Sequence, residues 1–261
     1  MTSSAVDEKW VRRFHPHAGN AARLVCFPHA GGSASHYFWL SQALTSSIEV
    51  LALQYPGRQD RRLEACVDSI PALADNIVQA LRGWLDGPYA FFGHSMGAVI
   101  AFEVARRLER QSGEGPKALV VSSRRAPSRW RDSTVHQRDD AGILSELRLI
   151  DGTDQRWLDD EELMASLLPT IRADYKAIET HSYAISPPLS CPITALVGDR
   201  DPYTTVDEAT AWRQHTSREF DLHVFTGGHF YLETHRAEVT ALVSAAFDRA
   251  ASAASIEGST P

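Results

Sequence analysis

The chain has 261 residues, 43% of them hydrophobic, and a formal net charge of −7. That length holds one large α/β domain or two small ones, and the apolar share is enough for a sizeable core. The acidic balance, with no basic stretch to override it, argues against nucleic acid as a partner, and no apolar run approaches membrane-spanning length.

Met1-Thr2-Ser3-Ser4-Ala5-Val6-Asp7-Glu8 has neither a basic start nor an apolar segment, so no secretory signal is read and a cytoplasmic location is expected. His15 and His17 lack a nearby third ligand, and no metal is expected there. Strand-like apolar runs fall at 23–27, 50–54, 89–92, 118–122, 193–198 and 220–225, with amphipathic segments between them. The clearest of these spans 70–85, with Ile70, Leu73, Ile77, Leu81 and Trp84 on one stripe, Ser69 as N-cap and Pro71 in the first turn. Near-continuous apolar strands alternating with helices predict a mostly parallel sheet covered on both faces.

Between 127 and 183 the alternation breaks. Only helical spacing appears there, such as Leu163, Leu167, Ile171, Tyr175 and Ile178, and it reads as a helical lid inserted between two sheet strands. A final helix carries Val239, Leu242, Val243 and Phe247 on its stripe. One domain over 1–250 is expected, and the small, polar residues 251–261 are expected to fray. Cys26, Cys66 and Cys191 are odd in number and widely spaced, giving neither a disulfide framework nor a metal motif. Cys26 and Cys191, in or beside strands, read as buried thiols.

The densest chemical signal is Gly93-His94-Ser95-Met96-Gly97, between the apolar run Tyr89-Ala90-Phe91-Phe92 and the periodic segment 98–108. A Gly-x-Ser-x-Gly between strand and helix is the nucleophile elbow of an α/β-hydrolase. Its serine occupies a strained turn, so the flanking positions must lack a Cβ. The turn lifts Ser95 Oγ out of the sheet and sets a helix N-terminus behind it, where partial positive charge favours a developing oxyanion.

A serine hydroxyl needs a base and a group to orient that base, which in this fold follow in the order acid, then histidine. Six of the eleven histidines come after Ser95. His136 and His181 belong to the inserted region, His215 ends a helical pattern, His223 falls within the last strand and His235 lies in the final helix. His229 alone comes just past the last strand, on a Gly227-Gly228 turn, and is the expected base. The loop after the strand at 193–198 offers Asp199 and Asp201. Pro202 holds Asp201 extended, suiting a carboxylate that reaches sideways, whereas Asp199 is expected to shape the turn.

Two main-chain amides should hold the oxyanion: that of Met96, after the nucleophile, and one from the loop Phe27-Pro28-His29-Ala30-Gly31-Gly32-Ser33, where Ala30 is the best donor. His29 is read as bracing that loop.

The order of motifs resembles the stand-alone type II thioesterases of polyketide and nonribosomal peptide assembly lines. The matching pieces are Leu24-Val25-Cys26-Phe27-Pro28-His29-Ala30-Gly31-Gly32-Ser33-Ala34-Ser35, Gln54-Tyr55-Pro56-Gly57-Arg58-Gln59-Asp60-Arg61 and Phe92-Gly93-His94-Ser95-Met96-Gly97-Ala98. Arg124-Arg125-Ala126-Pro127, Gly198-Asp199-Arg200-Asp201-Pro202 and Gly227-Gly228-His229-Phe230 complete them. The likeness runs from about Trp10 to Asp248. Ser123 and Ala65 depart from it, standing where such proteins often have glycine and proline.

The resemblance implies a substrate thioester on the phosphopantetheine arm of an acyl or peptidyl carrier protein, no cofactor of the enzyme's own, and a monomer. It implies attack by Ser95, proton transfer through His229 oriented by Asp201, and editing of stalled or wrongly primed acyl groups. Because carrier domains are usually acidic, Arg124, Arg125, Arg129 and Arg131 are candidates for carrier docking. The triad by itself separates neither ester from thioester nor amide from either. A general carboxylesterase or fatty-acyl thioesterase is one alternative, and a catalytically inactive hydrolase-fold binding module is another.

Overall fold

The computed structural model describes residues 7–17, 22–150 and 159–257. A single turn, α1 (Asp7–Trp10), leads into the two-residue strand β1 (Val11–Arg12). Then come β2 (Ala22–Phe27), α2 (Phe38–Leu44), β3 (Ile48–Leu53), α3 (Ile70–Ala80), β4 (Tyr89–His94), α4 (Met96–Ser112) and β5 (Leu119–Ser122). Two helices, α5 (Asp140–Leu149) and α6 (Glu161–Glu179), separate β5 from β6 (Ile193–Gly198). The short α7 (Val206–Thr210), β7 (Phe220–Phe225) and the long α8 (Arg236–Glu257) follow.

All seven strands form one sheet in the order β1-β3-β2-β4-β5-β6-β7, parallel except where β1 pairs antiparallel with β3. This is the α/β-hydrolase arrangement the alternation predicted. Strands β3, β5 and β6 are buried along their whole length, as a sheet covered on both faces demands. Successive residues divide between the two layers. Val25 and Phe27 pack with α3 and α4, while Leu24 and Cys26 pack with α2 and α8. Burying each such side chain contributes about 1.5–3 kcal/mol, so the sheet's position is over-determined.

Three expectations change at element ends. Helix α3 stops at Ala80, and residues 81–84 form a tight turn, with Trp84 N–H on the Leu81 carbonyl at 2.8 Å. The Trp84 and Asp86 carbonyls beyond the helix accept from Arg23 at 2.5 and 3.3 Å. Ser69 occupies the extended N-cap position of α3 but makes no side-chain capping bond. Helix α8 runs to Glu257, into the segment expected to fray, and carries Ala250, Ala251, Ala253 and Ala254, the strongest helix formers. Residues 258–261 lie outside those described.

The inserted region between β5 and β6 has helices and no strand among its described residues and has a small core of its own, Val135, Ile143, Met164, Leu168 and Ile171. Among the described residues, no helix is long and apolar enough to cross a membrane.

Candidate active site

Strand β4 ends at His94 and α4 begins at Met96, leaving Ser95 alone to turn the chain at φ +54°, ψ −117°. A left-handed φ is costly for a residue with a Cβ and persists only where the surroundings enforce it. Here the Ser95 amide is held by the Ser122 carbonyl of β5 at 2.8 Å. The flanking glycines are obligatory on packing grounds. A Cβ on Gly93 would collide with the Gly97 backbone, and a Cβ on Gly97 with the Phe27 and Pro28 carbonyls.

At the other end of the sheet edge, a Cβ on Gly198 would meet the Gly227 and Gly228 carbonyls, so the loops after β6 and β7 press together there. Asp199 Oδ1 accepts the Gly227 amide at 2.9 Å and shapes that turn. Asp201 Oδ1 accepts the Tyr203 amide at 2.8 Å. Both Asp201 oxygens lie 3.0 Å from His229 Nδ1, with both residues buried. A carboxylate on Nδ1 fixes the tautomer with its proton there and leaves Nε2 as the basic nitrogen. Ser95 and His229 line one cavity of about 440 Å³. Among the described residues, no hydrogen bond reaches Ser95 Oγ, as is common before substrate draws a nucleophile and its base together.

Ala30 and Met96 line the same cavity. In the loop after β2, the Gly31 amide goes to Asp174 Oδ2 at 2.7 Å and the Gly32 amide to the His29 carbonyl at 2.9 Å. The Ala30 and Met96 amides donate to no group among the described residues. Two unengaged N–H groups beside a serine at a helix N-terminus can receive negative charge developing on a carbonyl oxygen.

A thioesterase-domain family model matches residues 22–249, the span that carries every one of these groups. The chain belongs to the thioesterase family. It is 52% identical over 231 residues to thioesterase PikA5 of Streptomyces venezuelae, covering 88% of this chain and 82% of that protein. It is 49% identical over 255 residues to a probable cadicidin biosynthesis thioesterase of Streptomyces griseus, covering 97% and 70%. Among solved structures, the type II thioesterase BorB from the borrelidin biosynthetic cluster matches with a TM-score of 0.87 and 47% identity, over 95% of this chain and all of that one.

In this thioesterase the inserted helices roof the cavity with Leu147, Ile150, Met164, Leu167, Ile171 and Tyr175. The predicted stripe of α6 is therefore partly cavity wall, which explains why Leu167 stays 37% exposed. Tyr203 packs edge-on to His229 at 5.5 Å between ring centroids, and its hydroxyl donates to Glu146 of α5.

His94 and Phe230 pack against the His229 ring, and His29 and His36 pack against those two in turn. Burial keeps His29 and His94 well below the ordinary histidine pKa and lowers His36 to about 4, so all three are neutral. His29 fits its bracing role: a Cβ on Gly32 would strike its ring. Sequence reasoning did not find the cluster, because its members come from four separate segments and follow no common spacing.

Ser123, the departure from the glycine common in similar proteins, takes φ +48° and donates its hydroxyl to the His229 carbonyl at 2.8 Å. The four candidate docking arginines do not share one face. Arg124 lines the cavity, and Arg125 donates to the Tyr203 carbonyl at 3.3 Å. Arg131 forms a two-pronged pair with Glu208 at 2.7 Å on each arm, while Arg129 is exposed. The turn closed by Arg129 N–H on the Ala126 carbonyl, at 2.9 Å, reverses the chain and separates them. His15 bonds the Ser41 hydroxyl at 3.1 Å, and no metal-ligand cluster exists among the described residues.

Proposed function

We propose that this thioesterase removes stalled or wrongly primed acyl groups from the phosphopantetheine arm of carrier proteins in polyketide or nonribosomal peptide synthesis. The observation that carries the reading is the His229–Asp201 pair opening onto a cavity it shares with Ser95 and two unengaged amides.

In this mechanism Ser95 Oγ attacks the thioester carbonyl while His229 Nε2 takes its proton. The Ala30 and Met96 amides hold the oxyanion, and the imidazolium returns the proton to the departing pantetheine sulfur. The acyl group then rests on Ser95. A water deprotonated by the same nitrogen attacks the ester, and the free acid leaves. Asp201 keeps the ring oriented and stabilises its charged form without itself taking the proton. The apolar roof supplied by α5 and α6 would accept acyl chains of different length with modest discrimination, since a methylene is worth about 1–3 kcal/mol.

The chemistry asks for no cofactor beyond the arm the substrate brings. Arg129, with Arg131 at 40% side-chain exposure, would meet an acidic carrier surface. The deciding measurement compares kcat/KM for an acyl carrier protein, the same acyl group on coenzyme A, and a p-nitrophenyl ester. Preference for the carrier supports the reading. Equal turnover of the simple ester would make the chain a general carboxylesterase.

A further inference from the structure

Among the described residues, Arg124 is the one strong cation lining the cavity that holds Ser95 and His229. Its main-chain carbonyl accepts the Trp212 indole N–H at 2.8 Å, which fixes the backbone, yet its guanidinium has no hydrogen-bond partner among the described residues. Nε is buried and unsatisfied. Burial, and next the neighbouring Arg125, lower its pKa to about 9, so it remains charged at neutral pH. A sequestered charged donor without an acceptor carries a desolvation cost that a ligand oxygen would offset.

Register places this donor close to the chemistry. Ser122 of β5 pairs with His94 of β4, so Ser95 and Arg124 both follow closely on that last paired step, and both line the cavity. With the thioester carbonyl on Ser95, the acyl chain enters the cavity that Arg124 lines. The pantetheine phosphate remains outside with the carrier.

The charge also states what does not belong. An α-ammonium, as on an aminoacyl thioester, would face a like charge in a low-dielectric pocket. A carboxylate on the chain would share that cavity with Glu233. An uncharged oxygen acceptor satisfies both constraints.

Building on the function proposed above, we infer that Arg124 selects acyl groups bearing a neutral oxygen on the β-carbon, a ketone or a hydroxyl, by donating a hydrogen bond to it. The enzyme is thereby directed to β-oxygenated chains in preference to aminoacyl ones.

The test uses the pantetheine thioesters of acetoacetate, 3-hydroxybutyrate, butyrate, malonate and alanine with the full-length protein and with Arg124→Gln and Arg124→Lys. Comparing ratios between proteins cancels the intrinsic reactivity of each thioester. Losing a charged donor should lower the acetoacetyl-to-butyryl ratio of kcat/KM by about tenfold or more in Arg124→Gln, with part of it kept in Arg124→Lys. Alanyl turnover should rise relative to butyryl in the glutamine variant. An unchanged acetoacetyl-to-butyryl ratio, or an Arg124-dependent preference for malonyl alone, overturns the inference. Should the variants not fold, inhibition of the unaltered protein by two non-hydrolysable ketone analogues differing only in the β-oxygen decides it. Tighter binding of the oxygenated one supports the inference, and equal binding overturns it. If the unaltered protein cleaves none of the five even when they are loaded on a carrier protein, the function proposed above fails; if it cleaves them but the ratios ignore Arg124, only this inference does.

Discussion

Asp174 of α6 and Gly31 of the loop after β2, 143 residues apart, are joined by a 2.7 Å hydrogen bond from the Gly31 amide to Asp174 Oδ2. The same oxygen pairs with Arg58, and both side chains are almost wholly buried. Arg58 in turn donates to the Gly32 and Pro56 carbonyls at 2.9 and 2.8 Å. One carboxylate thus seats the inserted helix on the loop that carries Ala30, so the roof and the loop after β2 form one unit. Removing one partner of a buried ion pair strands the other charge and costs about 3–5 kcal/mol. Asp174→Ala should therefore lower unfolding stability by that order in urea titration. It should also reduce kcat at temperatures where the variant is still folded. A loss below about 1 kcal/mol would mean that Arg58 finds solvent or another acceptor.

The triad assignment predicts graded losses. Ser95→Ala and His229→Ala should each cut kcat on an acyl-pantetheine substrate by several orders of magnitude, and the double variant should lose little more, since the two act as a unit. Asp201→Asn should cost about 10⁴-fold through the wrong imidazole tautomer. Asp199→Asn, which alters only a turn contact to the Gly227 amide, should cost far less. Equal losses for the two aspartates would place the acid elsewhere.

Ser123 combines a left-handed backbone with a buried hydroxyl bonded to the His229 carbonyl. Ser123→Ala keeps the strained φ and loses the bond, which should destabilise by about 1–3 kcal/mol. Ser123→Gly loses the same bond but relieves a strain of about 1–2 kcal/mol, so it should be the milder change. Thermal unfolding of the pair is decisive: an alanine variant as stable as the glycine one removes the argument.

Acid should unfold this protein early. His36 and His215 are both lowered by burial to about 4 in the fold, against an ordinary value of about 6.5 in the unfolded chain. Between those values the unfolded state binds more protons, so stability falls as the pH drops from 6.5 towards 4. Each such histidine adds a slope of up to about 1.4 kcal/mol per pH unit. Urea unfolding at a series of pH values should show the decline, and His215→Gln should flatten it by close to one proton. A stability profile level over that range would contradict neutral burial.

The sequence by itself determined the alternation of strands and helices and the positions of Ser95, Asp201 and His229 along it. Those follow from short-range rules: an apolar run buried on both faces, a turn that excludes Cβ at Gly93 and Gly97, a proline after the acid. Each is written in neighbouring residues. Element ends were less legible. Helix α3 stops at Ala80, just before Gly83, and the Trp84 and Asp86 carbonyls beyond it go to Arg23 of β2, a partner that no local pattern announces. Tertiary structure alone decided that Asp174 meets Gly31 and Arg58, that neutral His94, flanked by His29 and His36, packs against His229, and that the arginines between 124 and 131 part company. Such contacts depend on where distant segments come to rest against one another, whereas periodicity reports only which face of its own element a residue occupies.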